Sequence, residues 1–98
     1  MEIQYGNYSG IYAIRTKLNN RFYIGSAVNL YNRMHTHLTH FKKNCHRNCK
    51  MQRFVNKYGI ENIYFECLEL CEKENLIKRE QFYIDTLNPF YNIAKIAG

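Results

Sequence analysis

From Gly10 to Arg15 the chain is almost continuously apolar, and the alternation of side chains along a strand puts Ile11 and Ala13 on one face and Tyr12 and Ile14 on the other. Leu18-Asn19-Asn20 is a turn signal, because asparagine tolerates the left-handed backbone of a tight reversal, and Arg21 to Ile24 resumes a β-rich run. Together they predict a β-hairpin. After Gly25-Ser26 the period lengthens: Leu30, Met34, Leu38 and Phe41 recur every three or four residues, the spacing of a helix face, up to a break at Lys42-Lys43-Asn44. Met51, Phe54, Val55 and Tyr58 form the stripe of a second helix, with Gly59 where a left-handed C-terminal stop belongs. Ile63 to Leu70 reads as a third strand, followed by a third helix that starts in the acidic stretch Cys71-Glu72-Lys73-Glu74. On that helix Leu76, Ile77, Glu80, Tyr83 and Ile84 share one face. Asn88-Pro89 ends it, and Phe90-Tyr91-Asn92-Ile93-Ala94 is a short closing segment that completes the core. The order is β-β-α-α-β-α, and with no repeat or linker residues 1–98 form a single domain.

Glu80 is the conspicuous position in this pattern. A carboxylate on a core-facing stripe must reach the rim, pair with a base or bind a cation, because burying it unpaired is expensive. Composition agrees with a folded globule, at 46% hydrophobic and 22% charged residues with a single Pro. No apolar run approaches the ~20 residues of a membrane span, and the first thirty residues lack the apolar core of a signal peptide. The expectation is a cytoplasmic protein without membrane contact. Charge is unevenly placed: residues 1–60 carry ten bases against one acid, whereas the remainder carries seven acids against four bases. The basic part suits a polyanion such as a nucleic acid backbone, although a basic surface also serves solubility alone.

Cys45, Cys49, Cys67 and Cys71 form two Cys-x-x-x-Cys pairs with His46 beside the first, which leaves a structural zinc site as one reading. The spacing departs from the usual Cys-x-x-Cys knuckles; the first pair has helical spacing, and reduced thiols are the default for a chain without a secretion signal.

Gly10-Ile11-Tyr12 and Tyr23-Ile24-Gly25 lie on the two strands of the hairpin, followed by Ser26, a basic helix with Arg33, the pair Arg79-Glu80 and a Tyr91-Asn92-Ile93 ending. Over residues 9–96 this pattern resembles the GIY-YIG nuclease family. Within it the chain is most similar to the N-terminal catalytic domain of phage intron-encoded homing endonucleases, through Leu18-Asn19-Asn20, Cys45-His46 and Gln52-Arg53…Asn56-Lys57. The resemblance implies an α+β fold with a three-stranded antiparallel sheet flanked by about three helices. It also implies metal-dependent hydrolysis of phosphodiesters in double-stranded DNA.

Carried over by position, the resemblance puts the metal-binding glutamate at Glu80, the phosphate-facing arginine at Arg33 and the motif tyrosines at Tyr12 and Tyr23, with His37, His46 and Asn92 as further polar site residues. Each has a physical rationale. A single carboxylate suits one Mg²⁺ or Mn²⁺ that keeps water and phosphate in its other positions. Arg33 offers a permanently charged fork to the phosphate, and His37, one helical turn on, shares its face. Tyr12 would act as general base or position the attacking water; for both tyrosines plain cross-strand packing is the alternative. His46 would contact DNA or move a proton, or simply stand at a helix start, and Asn92 would orient Glu80 or the hairpin. Gly10 and Gly25 would permit close approach or a strand-to-loop turn. Lys42, Lys43, Arg47, Lys50 and Arg53 are the expected DNA-backbone contacts, and specificity would come from an appended C-terminal DNA-binding region; ending at Gly98, the chain is either freestanding or an excised domain. Two rivals remain open: a nucleic-acid-binding module without turnover, and the zinc-bound structural domain.

Overall fold

The computed structural model describes residues 8–92. The hairpin forms as the alternation requires, with β1 at Gly10–Thr16 and β2 at Phe22–Ala27. In its turn Asn20 takes a positive φ of 57°, and the Asn19 side chain accepts hydrogen bonds from the Thr16 hydroxyl and, at 3.1 Å, from the Arg21 amide. Two helices follow, α1 at Leu30–Lys42 and α2 at Cys49–Tyr58, each opened by an asparagine, Asn29 or Asn48, whose side chain accepts the amide of the third residue on. Gly59 stops α2 at φ 97° and ψ 151°, so the stop has the expected positive φ but an extended ψ. A 3-10 turn at Ile60–Asn62 leads into β3, which spans the expected Ile63–Leu70.

The third helix begins later than the acidic stretch suggests. Lys73–Asn75 is a separate 3-10 turn, and α3 proper runs Leu76–Leu87, ending at Asn88 in the left-handed conformation. Ile77 is 62% exposed and does not share the packed face. At 100° per residue Ile77 lies only about 20° around the helix from the buried Ile84, so helix angle alone does not separate the two, and the packing partner covers one and not the other. Among the described residues no helix is long and apolar enough to cross a membrane.

The sheet is antiparallel throughout in the order β2-β1-β3, so β1 is buried in the middle. Its two faces are covered separately. Tyr12 and Ile14 pack with Leu30, Met34, Phe41, Met51 and Phe54 beneath α1 and α2, whereas Ile11 and Ile24 pack with Leu76 and Ile84 of α3. This three-layer α+β arrangement explains why β1 reads as continuously apolar. The register shifts between Ile11, opposite Glu69, and Tyr12, opposite Cys67, so Leu68 is an extra residue and the strand pair bulges beside Tyr12. Of the closing segment, Tyr91 and Asn92 are buried while Phe90 is 43% exposed; Ile93 and Ala94 lie outside the described residues.

Candidate active site

The β1–β2 register decides whether the motif tyrosines converge. Tyr12 faces Gly25 and Tyr23 faces Ile14, which puts both rings on the α1/α2 face as diagonal neighbours with centroids 6.4 Å apart. Gly25 is required by that arrangement: a Cβ there would lie 2.5 Å from the Tyr12 oxygen and 2.6 Å from its Cζ. Gly10 is required by β3 instead, since its Cβ would meet the Glu69 carbonyl oxygen. Both glycines sit inside strands, where close approach rather than a turn accounts for them.

Behind the tyrosines runs a file of buried polar groups. The Tyr12 hydroxyl lies 2.6 Å from His37 Nε2, and His37 Nδ1 lies 2.7 Å from His46 Nε2. His46 Nδ1 accepts the Asn48 backbone N–H at 3.0 Å. That last bond fixes the tautomers. An accepting Nδ1 puts the His46 proton on Nε2, where it is donated to His37 Nδ1; the His37 proton then sits on Nε2 and is donated to Tyr12. Both histidines are neutral at ordinary pH, because burial, with the charges of His46 and Arg33 added, lowers His37 to about 3, and burial with His40 lowers His46 to about 4. Phe41 stacks flat on His46 with centroids 4.0 Å apart, and Gln52 Oε1 accepts the His46 amide at 2.9 Å.

His37 therefore does not share a phosphate with Arg33. It is buried with both ring nitrogens engaged, whereas Arg33 is exposed. The common face on α1 is too broad a criterion, since residues four apart differ by 40° and one can point inward while the other meets solvent.

Glu80 reaches the site from the opposite layer. On α3 it is half-buried, and Ser26, on the α3 face of β2, donates its hydroxyl to Glu80 Oε1. Burial raises the carboxyl pKa, opposed by the Ser26 bond and by the Arg33 guanidinium. The charges of Glu80 and Arg33 reach the two tyrosines as well. Burial raises Tyr12 well above its ordinary value, with Tyr23 and Glu80 adding to the rise and Arg33 opposing it. Tyr23 is raised by burial and Glu80, and lowered by Arg33, by the neighbouring Tyr12 and by Arg47. Tyr12, Tyr23, Arg33 and Glu80, from β1, β2, α1 and α3, are thus within electrostatic reach of one another.

Asn92 orients the hairpin rather than Glu80: its side chain accepts the Ile24 amide at 2.8 Å and donates to the Ile24 carbonyl at 2.9 Å, standing in for a strand along the edge of β2. Lys42, Lys43, Arg47, Lys50 and Arg53 are all exposed. Ser26 and Gln52, which the motif pattern includes without giving them a role, and Asn48, which it omits, are the site's supporting residues; an asparagine opening an apolar stripe is a visible cap signal at Asn48.

The cysteines give a zinc reading no support in geometry. Cys45 lies in the loop and Cys49 opens α2, so the first pair does not share a helix, and all four thiols are free. Among the described residues no three His, Cys, Asp or Glu side chains gather as a metal set. Glu80 is instead a half-buried carboxylate held by the Ser26 hydroxyl and favoured in its charged form by Arg33, a donor that fits an ion such as Mg²⁺ that retains water and recruits phosphate oxygens.

Comparison with known proteins agrees with this geometry. Residues 8–93 match the family model of the GIY-YIG catalytic domain. The chain is 43% identical over 93 residues to intron-associated endonuclease 1 of Enterobacteria phage T4, covering 91% of this chain and 37% of that protein. It is 36% identical over 100 residues to a probable intron-encoded endonuclease bI1 of Neurospora crassa, covering 92% of this chain and 21% of the relative. The chain thus spans well under half the length of these relatives. Among solved structures, a mutant form of the catalytic domain of intron endonuclease I-TevI superposes with a TM-score of 0.82 at 40% identity, over 90% of this chain and 95% of that one. A second structure of that domain gives 0.80 at 41% identity, over 88% and 98%. By sequence pattern, sheet register and superposition alike, the chain belongs to the GIY-YIG catalytic domain family.

Proposed function

We propose that this chain is the catalytic domain of a divalent-metal-dependent DNA endonuclease that hydrolyses phosphodiester bonds in double-stranded DNA. The observation that carries the proposal is the motif tyrosine pair, with ring centroids 6.4 Å apart, backed by the Asn48–His46–His37–Tyr12 file, with Glu80 held by Ser26 and acting electrostatically on both tyrosines together with Arg33. Glu80 would hold a single Mg²⁺ or Mn²⁺, with Ser26 keeping the carboxylate ionised and aimed. Bound there, such an ion supplies charge stabilisation to phosphate oxygens.

The chain's own residues do the rest. Arg33, exposed at the rim, neutralises charge developing on the phosphate. The file donates in one direction, and its last proton, on His37 Nε2, goes to the Tyr12 oxygen. The tyrosine pair would orient the attacking water; burial holds both phenols in their protonated form, a rise that Arg33 opposes. His37 and His46 stay neutral and position Tyr12 rather than contact DNA.

Lys42, Lys43, Arg47, Lys50 and Arg53 would contact the DNA backbone, which carries no sequence information, so the domain alone has little specificity. The T4 relative is described as an intron-associated endonuclease and is longer than this chain, which supports a homing context in which an appended region selects the site. The place of action is the cell interior, at DNA. The test is nicking of supercoiled plasmid at low salt in Mg²⁺, Mn²⁺ and EDTA. Metal-dependent nicking is expected; nicking that persists in EDTA would overturn the metal-dependent reading, and tight binding without cutting in any metal would favour a binding module.

A further inference from the structure

Phe90, though 43% exposed, is held between two cations. The Arg21 guanidinium sits 3.8 Å from its ring centroid and the Lys50 ammonium 5.0 Å. The three residues come from separate places: the end of the hairpin turn, the first turn of α2 and the segment after α3. Two like charges sharing one exposed ring repel each other, and the salt bridges among the described residues, Arg15–Glu66 and Arg79–Glu69, use neither of them. Such a pair is completed by an anion between or across the two cations. The ring face holds both stems in place beforehand, so less side-chain freedom is lost when one arrives.

The surroundings extend the same charge. Along α2, Lys50, Arg53 and Lys57 recur at spacings of three and four, all exposed, and the helix contains no acidic residue. The cluster is also joined to the candidate active site by backbone. Tyr91, next to Phe90, donates its amide to the Phe22 carbonyl at 3.1 Å, and its own carbonyl accepts the Asn48 side chain at 2.6 Å. Asn48 in turn supplies the amide that ends the histidine file, and Arg21 lies two residues before Tyr23, about 7 Å of extended chain. At 3.4 Å of axial rise per phosphate of one strand, that is a separation of about two nucleotides.

We infer that Arg21, Phe90 and Lys50, continued by Arg53 and Lys57, form a backbone-binding ridge for the duplex arm beside the cleaved phosphate, an assignment that rests on the nuclease function proposed above. The acidic residues concentrated from Glu61 onward, on β3 and around α3, leave the α2 side as the one that suits a polyanion. Arg21 and Phe90 thereby join the set of DNA-binding residues, and the duplex leaves the tyrosine pair across the N-terminal end of α2.

The experiment is fluorescence anisotropy of a labelled duplex of about 20 base pairs in EDTA, titrated over a range of salt, with plasmid nicking in Mg²⁺ on the same preparations. The variants are Arg21→Gln with Lys50→Gln, and as a charge-matched control Lys73→Gln with Lys78→Gln, all exposed positions. Removing two phosphate contacts flattens the slope of log affinity against log salt by about 1.8, and the control keeps the wild-type slope. Phe90→Leu keeps both charges, and so the slope, but weakens binding ~2–5-fold by losing the ring face. A wild-type slope in the Arg21/Lys50 variant, or an equal loss in the control, overturns the ridge and leaves the nuclease standing. A wild-type chain that neither binds the duplex nor nicks overturns both.

Discussion

Burial resists the ionisation of Glu80, and Ser26 is one of the two groups that oppose the resistance. Since the Ser26 bond lowers the Glu80 pKa against the rise caused by burial, Ser26→Ala lets the pKa climb. The acid limb of the cleavage pH–rate profile should then move to higher pH. An unmoved limb would mean that Ser26 does not govern the carboxylate. The histidines act on stability instead. His37 and His46 are held at about 3 and about 4, while the unfolded chain takes up their protons near pH 6.5, so their contribution is complete above 6.5 and drains away as the pH falls toward those values. Between pH 7.5 and 4.5 urea unfolding should show the wild type losing on the order of 2 kcal/mol more than His37→Gln. Parallel losses would contradict the buried neutral pair. Glu80 was legible as an oddity because a charge interrupts an apolar stripe. Ser26 was not, since a serine after a strand looks the same whether its hydroxyl meets water or a carboxylate 54 residues away.

At the scale of elements, the motif glycines are placed by what packs against them, and the two should fail differently. In Gly25→Ala the new methyl displaces the Tyr12 ring, so cleavage should fall on the order of 100-fold, because a shift of about 1 Å at a reacting group costs that much, with a smaller change in melting temperature. In Gly10→Ala the methyl meets the β3 backbone, which cannot swing aside, and the loss should appear as ~1–3 kcal/mol of stability. Equal effects of the two on melting and cleavage would contradict these separate roles. Local pattern was sufficient for the hairpin, for α1 and α2 and for both ends of β3, where periodicity and turn chemistry agree. It failed at Ile77, because residues one apart on a helix both lie within a broad apolar arc and only the partner sheet decides which is buried. It also could not join His37 to His46, since that bond depends on how the α1–α2 loop folds back, which no periodicity encodes.

The whole molecule divides its labour by layer. The α1/α2 layer carries half of the lysines and arginines, no acidic residue and the tyrosine–histidine file, the α3 layer carries the carboxylate, and the two meet at the β2 side of the sheet, between Ser26 and Glu80. This arrangement makes Glu80 a poor contributor to stability, since burial disfavours its charge and Ser26 is its hydrogen-bond donor. Glu80→Gln should therefore melt at or above the wild-type temperature and bind duplex with the same salt slope. The measurement that decides the account is single-turnover plasmid cleavage in Mg²⁺ by the wild type and by Glu80→Gln at matched DNA occupancy. Cleavage by the wild type is expected, with a fall of about 10²–10³-fold in the variant, the scale of losing an electrostatic stabiliser of the transition state. Cleavage by folded, DNA-bound Glu80→Gln within a few-fold of the wild type would contradict the account.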